Sequence, residues 1–423
     1  MTAEIAVLNF HGVAMAADSA VSIGSTKIYN SANKLFALSK THPVGIMVYG
    51  NAQTMSVPWE TLIKTYRLEL KNKKFKTLNE YGDNFIKYLI NTTNIGFENE
   101  NVYINNRVGG LIQGLSQKIV DDDIKKEFDK NPNLTSAQIF TIISKLINSY
   151  CSSITVKEKL DGLNNKWVLA LKKKIAPIVT SLIQTHFENI PITSKDKKLI
   201  LEACASIFYG KKYNPEHSGI VIAGFGDNEI YPSLISYEIE WRLMGYLKYR
   251  IKNDEALNVN NNAAIIPFAQ REMVDTFMMG SDPWLVNYIN TKMQDIFSNL
   301  TNTIFSGTKV KISKKDSPLI KTNSDKLINE LASEVASVQR IKFVQPVLDS
   351  VAALPLDELA AMAQTLINMT SFKRRVSLNA ESVGGPIDVA VISKGDGFIW
   401  INRKHYFKPE FNQHYFVNNS QKD

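Results

Sequence analysis

Apolar positions arrive early in two unbroken runs, residues 5–8 and 13–17, with Asn9-Phe10-His11-Gly12 between them. Continuous runs of this length, joined by polar and glycine chemistry, predict a β-hairpin covered on both faces. Residues 44–49, closed by Gly50-Asn51, predict a third strand. The period then changes: Val57, Leu62, Ile63, Tyr66 and Leu70 form a helical stripe, with Pro58 where a first helical turn tolerates it. Helical patterns continue to about residue 210, among them SAQIFTIISKLINSY and KKIAPIVTSLIQTHF. Strands return at residues 219–224 and 232–240, and residues 319–344 read as a polar helix. LPLDELAAMAQTLINM places Leu356, Leu359, Ala360, Ala363, Leu366 and Ile367 on one face of a helix that Pro355 and Asp357 can start. A last hairpin, IDVAVISKGDGFIWI, turns at Lys394-Gly395-Asp396-Gly397. The order of strands, helices, strands, helix, strands predicts an α+β architecture in which helices cover sheets and the two terminal strand pairs are neighbours in one sheet.

The composition suits a folded chain: 44% hydrophobic and 21% charged residues over a length of 423. The net charge of +8 is 49 basic minus 41 acidic residues, and the lysine runs KNKKFK, LKKKIAP, SKDKK and KISKKDS lie far apart without interleaved aromatics. They read as a solvated face, so no nucleic-acid partner is expected. Cys151 and Cys204 make neither a disulfide framework nor a four-ligand zinc site, which suits a reducing compartment. With no basic leader and no apolar run near eighteen residues, a cytoplasmic location without membrane contact is the expectation. His405 in KHYF and His414 in QHYF read as an aromatic tail packed on the body rather than as a metal pair, and AGFGDN reads as a turn.

Candidate chemistry begins at Thr2. Once Met1 is removed, a threonine hydroxyl can attack a carbonyl while its own α-amine serves as base. The amine suits this task because its ordinary pKa, about 7.7 to 8.0, leaves part of it unprotonated near neutrality, whereas a lysine at about 10.4 stays charged. A nearby ammonium lowers that value further and stabilises a developing alkoxide. Such a site needs a lysine, and a carboxylate to orient it.

GVAMAADSAVSIGS, the Lys34-Leu35-Phe36-Ala37-Leu38 segment and GIMVYGNA resemble signatures of the proteasome β-type subunits and their bacterial relatives, which are N-terminal-nucleophile hydrolases. In that pattern an acidic residue follows the threonine by sixteen positions and a lysine by thirty-two, which gives Asp18 and Lys34. The resemblance implies a four-layer αββα sandwich with Thr2 at the mouth of a cleft, Lys34 beside its hydroxyl and Asp18 holding Lys34. It implies an oxyanion hole at Gly50, where a preorganised donor is worth about 2.7 to 4 kcal/mol. Ser19 after Asp18 belongs to the same pattern. The segment SVGGPIDVAVISKGDGFIWI is similar to the family's closing strand pair, but the usual supporting aspartate and Ser-Gly-Gly turn are replaced by Ala380-Glu381-Ser382-Val383-Gly384-Gly385, so Glu381 and Ser382 stand as candidate substitutes. Gln270 and Ser281 are alternatives for a further family serine, each also readable as structural.

The resemblance divides the chain into core at residues 1–100, a helical insertion at 101–213, central core strands at 214–284, a second helical insertion at 285–345, and a closing helix, strands and tail at 346–423. It implies a threonine hydrolase acting on peptide or other amide bonds without metal or organic cofactor, self-associated as a homo-oligomer, possible rings included, with an ATPase as a possible partner. Two rivals remain open at this point: a non-proteolytic amidase for a small molecule, and a silent scaffold or assembly subunit.

Overall fold

The alternation of side chains along the first hairpin decides what lies on either side of it. In β1 (Ala3–Asn9), Ala3, Ile5 and Val7 face one way, and Glu4, Ala6 and Leu8 the other. β2 (Gly12–Ala17) pairs with β1 antiparallel, Ile5 opposite Ala16 and Val7 opposite Ala14, so small alanines sit across from larger aliphatics on one face. The computed structural model describes residues 2–23, 27–93, 95–188, 190, 192–306, 316–377 and 383–420.

Further strands follow in chain order: β3 (Val21–Ile23), β4 (Lys27–Tyr29), β5 (Leu35–Ala37), β6 (Val44–Gly50), β7 (Gln53–Thr54), β8 (Val57–Pro58), β9 (Ser218–Gly224), β10 (Ser233–Leu243), β11 (Tyr246–Ala256), β12 (Ala263–Ala269), β13 (Asp388–Ser393) and β14 (Gly397–Asn402). One antiparallel sheet has the order β12-β1-β2-β13-β14 and a second has β11-β10-β9-β6-β5, while β3-β4 and β7-β8 are two-stranded ribbons. The terminal strand pairs do share a sheet, through β2 and β13 with Val391 opposite Ala14.

Three hydrophobic clusters fill the space around these sheets. Ala6, Leu8, Val13 and Met15 from the first sheet meet Met47, Tyr49, Val221 and Leu234 from the second. The other face of the first sheet packs Ile5, Val7 and Val389 against Leu359, Ala363 and Leu366 of the helix Leu356–Val376. The other face of the second sheet packs Ile46, Ile220, Ile222 and Tyr237 against the helices Trp59–Leu70 and Leu78–Asn91. That last cluster runs without a break into the helices Phe97–Gln117, Ser136–Ile154, Asn165–His186 and Ser194–Tyr209, through residues such as Ile112, Ile147, Leu171 and Ala203.

Several expected boundaries move. The helix expected from Val57 starts at Trp59, with Pro58 as its N-cap, because Val57 pairs with Thr54 in a short ribbon. The strand expected at 232–240 runs on to Leu243 and turns into β11, whose sequence YLKYRIKNDEA carries too many exposed charges to read as a strand. β12 also went unread: Pro267 sits inside it, and proline is confined to sheet edges, which is where β12 lies. Among the described residues no helix is long and apolar enough to cross a membrane.

Candidate active site

Thr2 is no frayed end in this fold. Its carbonyl accepts a hydrogen bond from the Gln270 N–H at 3.1 Å, just past β12, and Ala3 pairs with Ala269 across the sheet. On the other flank the Asp18 N–H donates to the Ala3 carbonyl at 3.1 Å. With neighbours on both sides, Thr2 is 4% exposed and its hydroxyl has no hydrogen-bond partner among the described residues.

Asp18 follows β2 and turns its carboxylate back under the start of β1. Oδ1 accepts from the Ala3 N–H at 3.1 Å and from Lys34 Nζ at 2.5 Å, and Oδ2 accepts from the Ala20 N–H at 3.2 Å and the Gly384 N–H at 3.0 Å. The Ala20 contact is a local turn of the kind aspartate favours. The other three tie together the chain start, the lysine and the approach to β13. Lys34 sits immediately before β5, its carbonyl accepting from the Val48 N–H of β6 at 2.9 Å, and its ammonium is buried.

A cavity of about 180 Å³ brings Thr2, Lys34 and Gly50 together, with Val21, Ala32, Tyr49 and Trp59 also on its wall. Asp18 lies behind Lys34 rather than on that wall. Gly50 closes β6 with φ of +77°, a conformation that costs side-chain-bearing residues about 1–2 kcal/mol, and a Cβ there would stand 2.5 Å from the His217 carbonyl oxygen. Only glycine turns the chain here. A larger cavity, about 370 Å³, lies between the helices Trp59–Leu70 and Leu78–Asn91 and contains none of these residues.

The remaining candidates divide. Ser19 turns away from Thr2: its hydroxyl donates to the Pro386 carbonyl and its N–H to the Gly384 carbonyl, so it fastens the segment ahead of β13. Gln270 meets Thr2 through its backbone, while its side-chain oxygen accepts from Arg374. Ser281 accepts from Gln339 and lines no part of the cavity. Glu381 and Ser382 lie outside the described residues. Asp388, at the start of β13 and opposite Ala17, is a further buried carboxylate; Lys404 occupies it through both its N–H and its ammonium. His405 packs on Phe407 and Phe416, as an aromatic tail would.

A buried carboxyl that the sequence reading does not single out is Glu4. It is 1% exposed, faces the space between the sheets two residues after Thr2, and neither carboxyl oxygen has a hydrogen-bond partner among the described residues. Burial raises its pKa well above the ordinary value, the Lys34 charge pulls it down and the Asp18 charge pushes it up. The signal was available, since one acidic residue stands alone in a strand that is otherwise apolar or small up to Asn9.

The sequence matches no protein-family model and no curated protein. Among solved structures, it is similar to Anbu, an ancestral beta-subunit, from Yersinia bercovieri, at 11% identity with a TM-score of 0.26, covering 100% of this chain and 97% of that one. A helical assembly of the Anbu complex from Pseudomonas aeruginosa gives 10% identity and a TM-score of 0.28, covering 99% and 94%. An Anbu Gly-1 mutant from Hyphomicrobium sp. strain MC1 gives 9% identity and a TM-score of 0.28, covering 100% and 96%. At these scores the likeness is a distant one of fold, on which no residue's role rests.

Proposed function

We propose that the chain is a proteasome-like threonine hydrolase that cleaves amide bonds through an acyl-enzyme on Thr2 after removal of Met1. The observation that carries this reading is the cavity shared by Thr2, whose hydroxyl has no partner among the described residues, and a buried Lys34 that Asp18 holds at 2.5 Å. In the proposed cycle Thr2 Oγ1 attacks the substrate carbonyl, its proton passes to the freed α-amine, and the Lys34 ammonium stabilises the developing alkoxide. Asp18 orients Lys34, and a backbone N–H at Gly50 receives the oxyanion. Ser19 supports the site at one remove, by fixing the turn whose Gly384 N–H reaches Asp18.

The same reading takes the two sheets and their outer helices as a four-layer αββα sandwich, which the three hydrophobic clusters support. The helical blocks at 101–213 and 285–345 are then insertions in a core formed by residues 1–100, 214–284 and 346–423. A homo-oligomer and an ATPase partner belong to the proposal as well, and a sizing measurement that returned only monomer would remove the first.

A second reading, an amidase for a small molecule, is favoured by the cavity itself. Its roughly 180 Å³ falls below the range of about 300–1,000 Å³ that encloses a drug-sized ligand. A panel of peptides and small amides separates the two. Thr2→Ala is expected to abolish turnover of whichever substrate is found while leaving the fold intact, and unchanged turnover would end both readings in favour of a scaffold.

A further inference from the structure

A cavity of about 340 Å³ opens where the outermost strands of the two sheets, β5 and β14, come together. Phe36 reaches it from β5, and Phe398 and Trp400 reach it from β14, two residues apart and so on one face of their strand. The helix Trp59–Leu70 brings Lys64 and Arg67, three positions apart and therefore neighbours on its surface. Lys40 comes from the turn after β5, Arg403 from the chain beyond β14, and Tyr415 from the helix Gln413–Ser420. No acidic side chain stands on this wall among the described residues. Lys64 is paired with Glu60 at 2.5 Å, but Lys40, Arg67 and Arg403 have no ion pair among the described residues. Arg67 donates one N–H to the Ala37 carbonyl at 3.3 Å, and the Arg403 guanidinium lies over the Trp400 ring, 4.7 Å from its centroid. A guanidinium carries five N–H donors, so most of the donor capacity of the two arginines is uncommitted. Burial, and then the Arg403 charge, pull the Arg67 guanidinium below its ordinary pKa, against an opposite pull from Tyr415. An anion beside the two guanidiniums relieves their repulsion.

We propose that this cavity is a binding site for a nucleotide, its phosphates held by Lys40, Arg67 and Arg403 and its base set against Trp400 and the rings around it. A guanidinium pairs with phosphate oxygens two bonds at a time, an ammonium adds a point charge, and aromatic side chains stack on a base. Three unpaired cations from three separate segments exceed what a single carboxylate needs and match a group with more than one negative charge. The volume falls within the range of about 300–1,000 Å³ that encloses a small molecule. The site shares no lining residue with the Thr2 cavity, so the inference stands apart from the hydrolase reading.

Isothermal titration calorimetry of the full chain with ADP, adenosine and pyrophosphate tests this. ADP should bind at one site per chain with a dissociation constant below about 1 mM. Adenosine and pyrophosphate should each bind at least about tenfold more weakly, since each keeps only one half of the contacts. Lys40 and Arg403 are both exposed, so the double variant Lys40→Ala/Arg403→Ala should fold as the wild type does, and it should weaken ADP and pyrophosphate on the order of tenfold. Trp400→Leu should weaken ADP by about the same factor; should that variant not fold, the three ligands compared on the wild type decide the part of the ring. Lys73→Ala, on the wall of the cavity between the helices Trp59–Leu70 and Leu78–Asn91, should leave ADP binding unchanged, which separates a built site from general attraction to a basic chain. No saturable ADP binding below about 1 mM, an unchanged affinity in the double variant, or an equal loss in Lys73→Ala would overturn the assignment. So would adenosine or pyrophosphate binding as tightly as ADP.

Discussion

Removing the Asp18 carboxylate should cost far more stability than removing its lysine partner. Asp18 accepts four hydrogen bonds, three from the backbone N–H groups of Ala3, Ala20 and Gly384 and one from Lys34. Asp18→Ala strips all four and leaves a buried ammonium unpaired, a change worth about 3–5 kcal/mol for a buried pair broken from one side. Lys34→Ala leaves the carboxylate with its three backbone donors, so its cost should stay nearer the 1.5–3 kcal/mol of about one hydrogen bond to a charged group. Because the two residues touch, the double variant should cost less than the two singles added, and the cycle measures that coupling directly. Expressed as an equilibrium, Asp18→Ala shifts folding by roughly two to three and a half powers of ten, a large share of the 5–15 kcal/mol typical of a domain. Urea unfolding of the four chains gives the energies, and hydrogen exchange at Ala3, Ala20 and Gly384 gives a local readout that should accelerate in Asp18→Ala and not in Lys34→Ala. Equal losses in the two single variants, or unchanged exchange at those amides in Asp18→Ala, would refute the view of Asp18 as the junction of the chain start, the lysine and the approach to β13.

Two further outcomes follow from the cavity wall and its rear. A Cβ at Gly219 would stand 1.9 Å from the Tyr49 ring, so Gly219→Ala should drive that ring from its place on the wall of the Thr2 cavity, lower the melting temperature and suppress β-lactone labelling of Thr2; wild-type labelling with an unmoved melting temperature would contradict the packing described. Burial pushes the Glu238 carboxyl up, but hydrogen bonds and charge from His217 and Arg250 outweigh it and bring it to about 2, while the Glu238 bond raises His217 against the opposing effect of its own burial. The depressed carboxyl stabilises the fold above its unfolded value near 4.5 and loses that contribution as pH falls toward 2, and the raised histidine stabilises it below about 6.5 and loses that contribution as pH rises through its folded value. The stability that this pair supplies should therefore be greatest between about pH 4.5 and 6.5, and Glu238→Gln should remove that contribution in a urea series; an identical profile in the variant would contradict the assignment.

The parts of this fold that were legible are those where one physical rule acts alone. β1, β2, β6, β9 and β13 are buried on both faces and read as apolar runs, and the helix Leu356–Val376 buries Leu359, Ala363 and Leu366 at helical spacing. β11 and β12 were opaque because exposed charges and Pro267 mask their periodicity, and only pairing with β10 and β1 makes strands of them. At the site, the sixteen-residue spacing between Asp18 and Lys34 becomes a 2.5 Å contact, since a hairpin end and a strand start converge there. Glu4 escaped notice for a different reason: within a single sequence, a buried acid and a surface acid are spelled alike, and only the second sheet above it distinguishes them. The same holds for Ser19, whose bond to Pro386 depends on a segment more than three hundred residues away.

Whether Thr2 is a nucleophile decides between the hydrolase and the scaffold. Intact-mass and peptide mapping of the native full-length chain after exposure to a β-lactone answers this in one experiment. The predicted result is a chain that has lost Met1 and carries one acyl group, mapped to the Thr2 hydroxyl and absent from Thr2→Ala; a chain that keeps Met1 and takes no acyl group on Thr2 would contradict it.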